Sequence, residues 1–201
     1  MKQLFQYGPA EIDYLKKRDK KLGAAIDEIG MIERTVNPDL FTALVASVAS
    51  QQISAKAAET VCARLEDQFG IISPESIASA TEEEIQKCGM SMRKAGYIRG
   101  IGSAVTEGRL DLSALRELPD NDVISQLTAL NGVGVWTAEM LLIFSMERQD
   151  VVSWGDLAIR RGMMRLYGKE TIDRAAFERY RKRYSPYGSV ASLYLWEISH
   201  Q

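Results

Sequence analysis

The stretch 122-DVISQLTALNGVGVWTAEMLLIF-144 decides how this chain is read. Gly132-Val133-Gly134-Val135-Trp136-Thr137 comes close to the GxGxxG of a dinucleotide fold, but that turn must follow a strand and close on a third small residue. Here 122-DVISQLTAL-130 carries a helical period and Thr137 holds the third place. What remains is helix, tight glycine hairpin, helix, with 135-VWTAEMLLIF-144 as the second helix. The amides of Gly132 to Trp136 are then helix-start donors, and glycine puts no side chain between them and a phosphate. Two readings stand at this point. The hairpin is a backbone clamp for phosphate without sequence preference, or it is a helix-helix corner of the kind glycine often makes.

The rest of the chain is patterned in the same way. Apolar residues recur at three and four in 38-PDLFTALVASVA-49 and again in 54-SAKAAETVCARLEDQF-69, two core helices joined through 50-SQQIS-54, with Pro38 suited to a first turn. Thr81 with Glu84 forms a capping box, Pro74, Pro119 and Pro186 mark further starts, and Gly89, Gly108 and Gly168 mark stops. Short β-branched runs occur only at 31-MIERTV-36 and 150-DVVSW-154, neither with a partner of matching length. The expectation is an all-α fold of about ten helices, two-lobed. It spans residues 1–201 as one domain, with a candidate lobe division near 108-GRLDL-112 and the helix-hairpin-helix over about 122–146.

Composition removes several classes of chemistry. At 201 residues and 46% hydrophobic the chain can bury a sizeable core, and no apolar run approaches the length that spans a bilayer. The N-terminus, MKQLFQYGPAEIDYLKKRDK, is too charged for a secretory signal, so the expected compartment is the cytoplasm. Cys62 and Cys88 stand apart and His200 is the single histidine, which excludes a disulfide framework, a CxxC site, a His-based triad and a multi-His centre. Net charge is -2, mildly against a nucleic-acid partner, yet residues 160–183 hold nine basic against three acidic residues. That run reads as a solvated face or as a phosphate-facing one.

LNGVGVWTAEMLLIF followed by DVVSWGDLAIRRG resembles the helix-hairpin-helix (HhH-GPD) superfamily of DNA base-excision glycosylases, and within it the bacterial alkylpurine glycosylases of the 3-methyladenine DNA glycosylase II (AlkA) type. The likeness extends to 51-QQISAKAA-58, 89-GMSMRKAGYI-98 and 186-PYGSVASLYLW-196, so it covers most of the chain from about Pro38 on. The resemblance implies that Asp156, 20 residues beyond Trp136 in 156-DLAIRR-161, is the catalytic carboxylate. Asp156 also reads as an N-cap for the following helix. The family often has a second acidic residue just before it, where this chain has Gly155. Breaking an N-glycosidic bond puts positive charge on the deoxyribose, and a fixed anion in a water-poor pocket stabilises it.

By the same resemblance Gln52 is the wedge that fills the gap left by a flipped base, and Trp136, Met140 and Trp196 line the base pocket. Each tryptophan also reads as core packing. Met140 replaces a tyrosine of the closest type and implies an altered substrate preference. Gly132, Val133, Gly134, Trp136 and Thr137 would grip the DNA backbone, helped by Arg93, Lys94, Arg160 or Arg161. A monovalent cation, Na+ or K+, is implied at the carbonyls of Thr128, Leu130 and Val133. The lysine that makes bifunctional relatives into lyases is Trp136 here, and two distant cysteines cannot hold an iron-sulfur cluster.

The implied protein is therefore a monofunctional DNA glycosylase for alkylated purines such as 3-methyladenine and 7-methylguanine, requiring no cofactor. It would act on damaged double-stranded DNA as a monomer in a bacterial cytoplasm, without a membrane. Compared with the AlkA type it is expected to be a minimal form without the N-terminal α/β domain. A non-catalytic helix-hairpin-helix DNA-binding module and a glycosylase for another damaged base are the alternatives.

Overall fold

The structure, a computed structural model, describes residues 3–200. In chain order it runs β1 (Gln3–Leu4), α1 (Pro9–Arg18), α2 (Lys20–Ile29), β2 (Thr35–Val36), α3 (Leu40–Ala49), α4 (Ala55–Phe69) and α5 (Pro74–Ser79). It continues through α6 (Glu82–Gln86), α7 (Met92–Thr106), α8 (Leu112–Leu115), α9 (Asp120–Thr128) and α10 (Val135–Phe144) to α11 (Leu157–Tyr167), α12 (Arg174–Tyr184) and α13 (Gly188–His200). The all-α expectation holds. Thirteen helices rather than about ten are found among the described residues; α5, α6 and α8 have only 6, 5 and 4 residues.

The chain separates into two compact units. One takes the chain up to Val36 together with the stretch from Leu142 on, and the other is Asn37–Leu141. The candidate division near 108–112 is therefore misplaced. Gly108 adopts φ +71 behind α7, the Leu110 amide donates to Ala104 O at 2.9 Å and the Leu110 side chain is buried, so this segment folds back onto α7 instead of leaving it.

In the Asn37–Leu141 unit α7 is the central element, packed against α3, α5 and α6. A Cβ on its Gly102 would lie 2.9 Å from the Ala78 amide nitrogen, so only glycine lets α5 approach this closely. The Thr81–Glu84 capping box forms as read, with Thr81 Oγ1 accepting from the Glu84 amide. Pro38, by contrast, stands before the helix: Asp39 caps α3, accepting from the amides of Phe41 and Thr42. An aspartate oxygen satisfies two first-turn donors and takes the cap position from the proline's neighbour Asn37.

In the other unit α13 is buried along most of its length, with Val190, Ala191, Leu193, Tyr194 and Leu195 all at 0% exposure. It crosses α11 so closely that a Cβ on Gly162 would fall 2.0 Å from Leu195 O. The short β-branched runs meet different fates. Thr35–Val36 pairs antiparallel with Gln3–Leu4. Residues 150–154 stay irregular, because the Val151 amide and carbonyl are taken by Ser189 Oγ at 3.0 Å and Ser192 Oγ at 2.9 Å. Side-chain hydroxyls from α13 satisfy the groups a partner strand would have met.

Candidate nucleic-acid interface and catalytic carboxylate

The hairpin is built by a helix that stops and another that starts at once. α9 ends at Thr128, the Leu130 amide donates back to Leu127 O at 3.1 Å, and the Val133 amide donates to Leu130 O at 3.2 Å. Gly132 takes φ +85, a left-handed backbone that disfavours a Cβ, and the Cβ it lacks would lie 2.3 Å from Cδ2 of Tyr97. Val133 is buried and pins the turn. Gly134 is the opposite case: it is exposed, and a Cβ there would meet nothing within 4 Å. The two glycines therefore do different jobs. Gly132 is required by the fold, whereas Gly134 leaves open space in front of the N-terminus of α10, where first-turn amides and the helix dipole favour an anion.

Beside the hairpin lies a cleft of about 650 Å³ lined by Ser47, Ser50, Gln51, Gln52 and Ile53 on one side and by Gly132, Gly134, Trp136, Thr137 and Met140 on the other. It brings together Gln52, Trp136, Met140, Gly132, Gly134 and Thr137, all singled out in the sequence. Its lining carries no ionisable side chain. Trp136 is 46% exposed, so the reading of this tryptophan as core packing is set aside. Gln52 is exposed on the turn between α3 and α4 and has φ +57, one of two non-glycine residues with positive φ among the described residues. An L side chain is seldom held there without support from its surroundings.

That support comes from residues the sequence did not single out for it. Gln51 Nε2 donates to Gly132 O at 2.8 Å, tying the turn to the hairpin. Lys94 Nζ donates to Ala49 O at 2.9 Å and to Gln51 O at 2.5 Å. Burial pushes the Lys94 ammonium below the ordinary lysine pKa. Lys94 thus has carbonyl partners inside the unit, while Arg93 beside it is exposed. The doubled glutamine in 51-QQIS-54 was the visible signal, but its tie to a residue 81 positions away was not.

Asp156, Trp196, Arg160 and Arg161 belong to the other unit. Asp156 is 7% exposed and caps α11, accepting from the Ile159 amide at 2.9 Å. A buried carboxylate that accepts from a first-turn amide meets its reading as a helix cap. Gly155 before it is exposed. The Arg160 guanidinium lies over the Trp154 ring at 5.0 Å and its buried Nε has no hydrogen-bond partner. Arg161 is exposed. Trp196 is half-buried and stacks on Phe144 with centroids 5.5 Å apart. Much of the basic run at 160–183 is engaged inside the unit. Arg165 donates to Ile198 O and Ser199 O, Arg174 and Arg181 pair with Glu178, and Arg183 pairs with Asp19.

The described residues contain no group of three or more His, Cys, Asp or Glu side chains able to hold a metal ion. A cation at the hairpin would have backbone oxygens to bind. α9 ends at Thr128, so its last carbonyls extend past the helix's own ladder, although Leu130 O already accepts from Val133.

Comparison with known proteins gives the family. The family described as HhH-GPD superfamily base excision DNA repair protein matches residues 45–186. DNA-3-methyladenine glycosylase 1 of Schizosaccharomyces pombe is 34% identical over 163 residues, which are 78% of this chain and 71% of that protein. The crystal structure of a DNA-3-methyladenine glycosidase from Bacillus halodurans superimposes with a TM-score of 0.87 at 36% identity, covering 98% of this chain and 92% of the other. A 3-methyladenine DNA glycosylase of S. pombe in complex with abasic DNA gives a TM-score of 0.82 at 28% identity, covering 96% and 98%. With a buried carboxylate capping α11 and an open glycine hairpin beside an uncharged cleft, the chain belongs to the HhH-GPD superfamily of base excision DNA repair proteins.

Proposed function

We propose that this chain is a monofunctional DNA glycosylase that hydrolyses the N-glycosidic bond of alkylated purines flipped out of damaged double-stranded DNA. The observation that carries the reading is Asp156, a carboxylate 7% exposed at the start of α11, in the block 156-DLAIRR-161 whose resemblance to the family implies its catalytic aspartate. The C1′–N bond breaks with its electron pair leaving on the base, water oxygen bonds to C1′, and the water proton passes to solvent. The Asp156 carboxylate stabilises the positive charge that develops on the sugar. An alkylated purine is already cationic and needs no proton to leave, which suits a cleft lined by uncharged residues.

In this reading Trp136 and Met140 receive the base, with the tryptophan face favouring a cationic ring, and Trp196 is the other aromatic residue that the resemblance assigns to base recognition. Gln52 fills the vacated stack. The hairpin amides of Gly132 and of Gly134 to Thr137 hold the backbone with Arg93, Arg160 or Arg161, the Val133 amide being taken by Leu130 O, and a monovalent cation on the carbonyls of Thr128, Leu130 and Val133 makes the loop more electropositive. The protein acts as a monomer in a bacterial cytoplasm; among the described residues no helix is long and apolar enough to cross a membrane.

The test is incubation with methylated duplex DNA, followed by chromatography of free bases and alkali treatment of the DNA. Released 3-methyladenine or 7-methylguanine, with strand breaks appearing only after alkali, is the expected result. Duplex binding without release of any methylpurine would contradict the proposal.

A further inference from the structure

We infer that Lys94 and Gln51 are positioning residues that hold Gln52 in its left-handed conformation and so preset the wedge before DNA arrives; this rests on the reading of Gln52 as the wedge. The torsion φ of Gln52 is set against the peptide plane that joins it to Gln51. Lys94 Nζ grips the carbonyl oxygen of that same plane at 2.5 Å and braces it against Ala49 O at 2.9 Å. An ammonium holding two carbonyls on either side of Ser50 fixes the turn more firmly than a neutral donor, because charge-assisted hydrogen bonds are about twice as strong. The Gln51 side chain then ties the turn to Gly132 O at 2.8 Å.

α7 carries the other half of this arrangement. Lys94 and Tyr97 are three residues apart and share a helix face. Lys94 holds the wedge turn while Tyr97 fills the space that a Gly132 side chain would need. One helix face thus sets the register between the candidate wedge and the candidate phosphate clamp. A preset wedge loses less conformational freedom when it inserts, so its benefit falls on base extrusion and not on later bond breaking.

The experiment compares single-turnover excision of 7-methylguanine from a paired duplex with excision of the same lesion from an unpaired bulge, where no base pair has to be opened and extrusion costs less. Lys94→Met is expected to lower the duplex-to-bulge rate ratio about tenfold, the scale of a modest change in extrusion cost. Lys94→Arg, which keeps charge and donors, should restore part of it. Equal loss on both substrates, or loss on neither, overturns the inference. Gln52→Ala runs alongside. A normal ratio for that variant would sink the wedge reading itself, whereas a lowered ratio there with a normal one for Lys94→Met overturns only the clamp. Should Lys94→Met fail to fold by circular dichroism, Gln51→Leu cuts the tie to Gly132 alone and carries the same test.

Discussion

The ring of Tyr97 occupies the space where Gly132 would carry its Cβ, 2.3 Å from Cδ2, while Gly134 two residues on faces open space. The pair separates what the fold needs from what a ligand needs. Gly132→Ala combines a left-handed backbone with a steric clash and should lower stability by about 2–3 kcal/mol. Gly134→Ala should change stability by less than about 1 kcal/mol yet weaken binding to damaged and undamaged duplexes alike, by about tenfold. Thermal melting and fluorescence anisotropy check both. A loss confined to damaged duplex would mean that the hairpin is not the clamp.

Trp136 offers a second separation of stability from function. At 46% exposure it contributes little to the core, so Trp136→Ala should shift the folding free energy by under about 1 kcal/mol. Losing a stacking face for the flipped base should nonetheless lower excision about tenfold or more, since base–aromatic stacking is worth about 1–3 kcal/mol. Unchanged single-turnover excision would remove Trp136 from the base pocket.

The buried cluster around Asp19 sets an acid dependence. Burial raises the Asp19 pKa, but hydrogen bonds from Tyr167, the Leu22 amide and Arg183 outweigh it and hold the carboxyl below its ordinary value. A depressed folded-state pKa contributes stability that is present above the unfolded carboxylate value, near 4, and is lost as pH falls through the folded one. Asp19→Asn should therefore cost about 1–3 kcal/mol at pH 7 and progressively less below about pH 4. Urea melts at pH 7 and pH 3 measure this, and a cost independent of pH would show that the charge of Asp19 is not what the cluster uses.

How much of this was legible in the sequence depends on the reach of each interaction. The hairpin, the Thr81–Glu84 box and Asp156 at the head of α11 are local patterns within a few residues, and each forms as read. Pro38 was misread because Asp39 beside it is the better cap. The β1–β2 pair, the Gln51–Gly132 bond and the hydroxyls that satisfy residues 150–154 join positions 31 to 81 apart, beyond any periodicity. The lobe boundary was missed for a related reason: the first unit is assembled from both ends of the chain, and no composition shift marks Val36 or Leu142. Lys94 was picked out as a cation of the right family block, but its charge is spent on two carbonyls that only the folded turn brings to it.

Asparagine caps a helix about as well as aspartate, so Asp156→Asn retains the α11 cap while it removes the negative charge. The direct measurement is single-turnover release of methylpurine from duplex DNA by wild type and Asp156→Asn, with duplex affinity and melting temperature determined on the same samples. The account predicts a melting temperature and affinity near those of wild type, with release slowed at least about a hundredfold. Near wild-type release by the folded variant would make Asp156 a cap alone and contradict the mechanism.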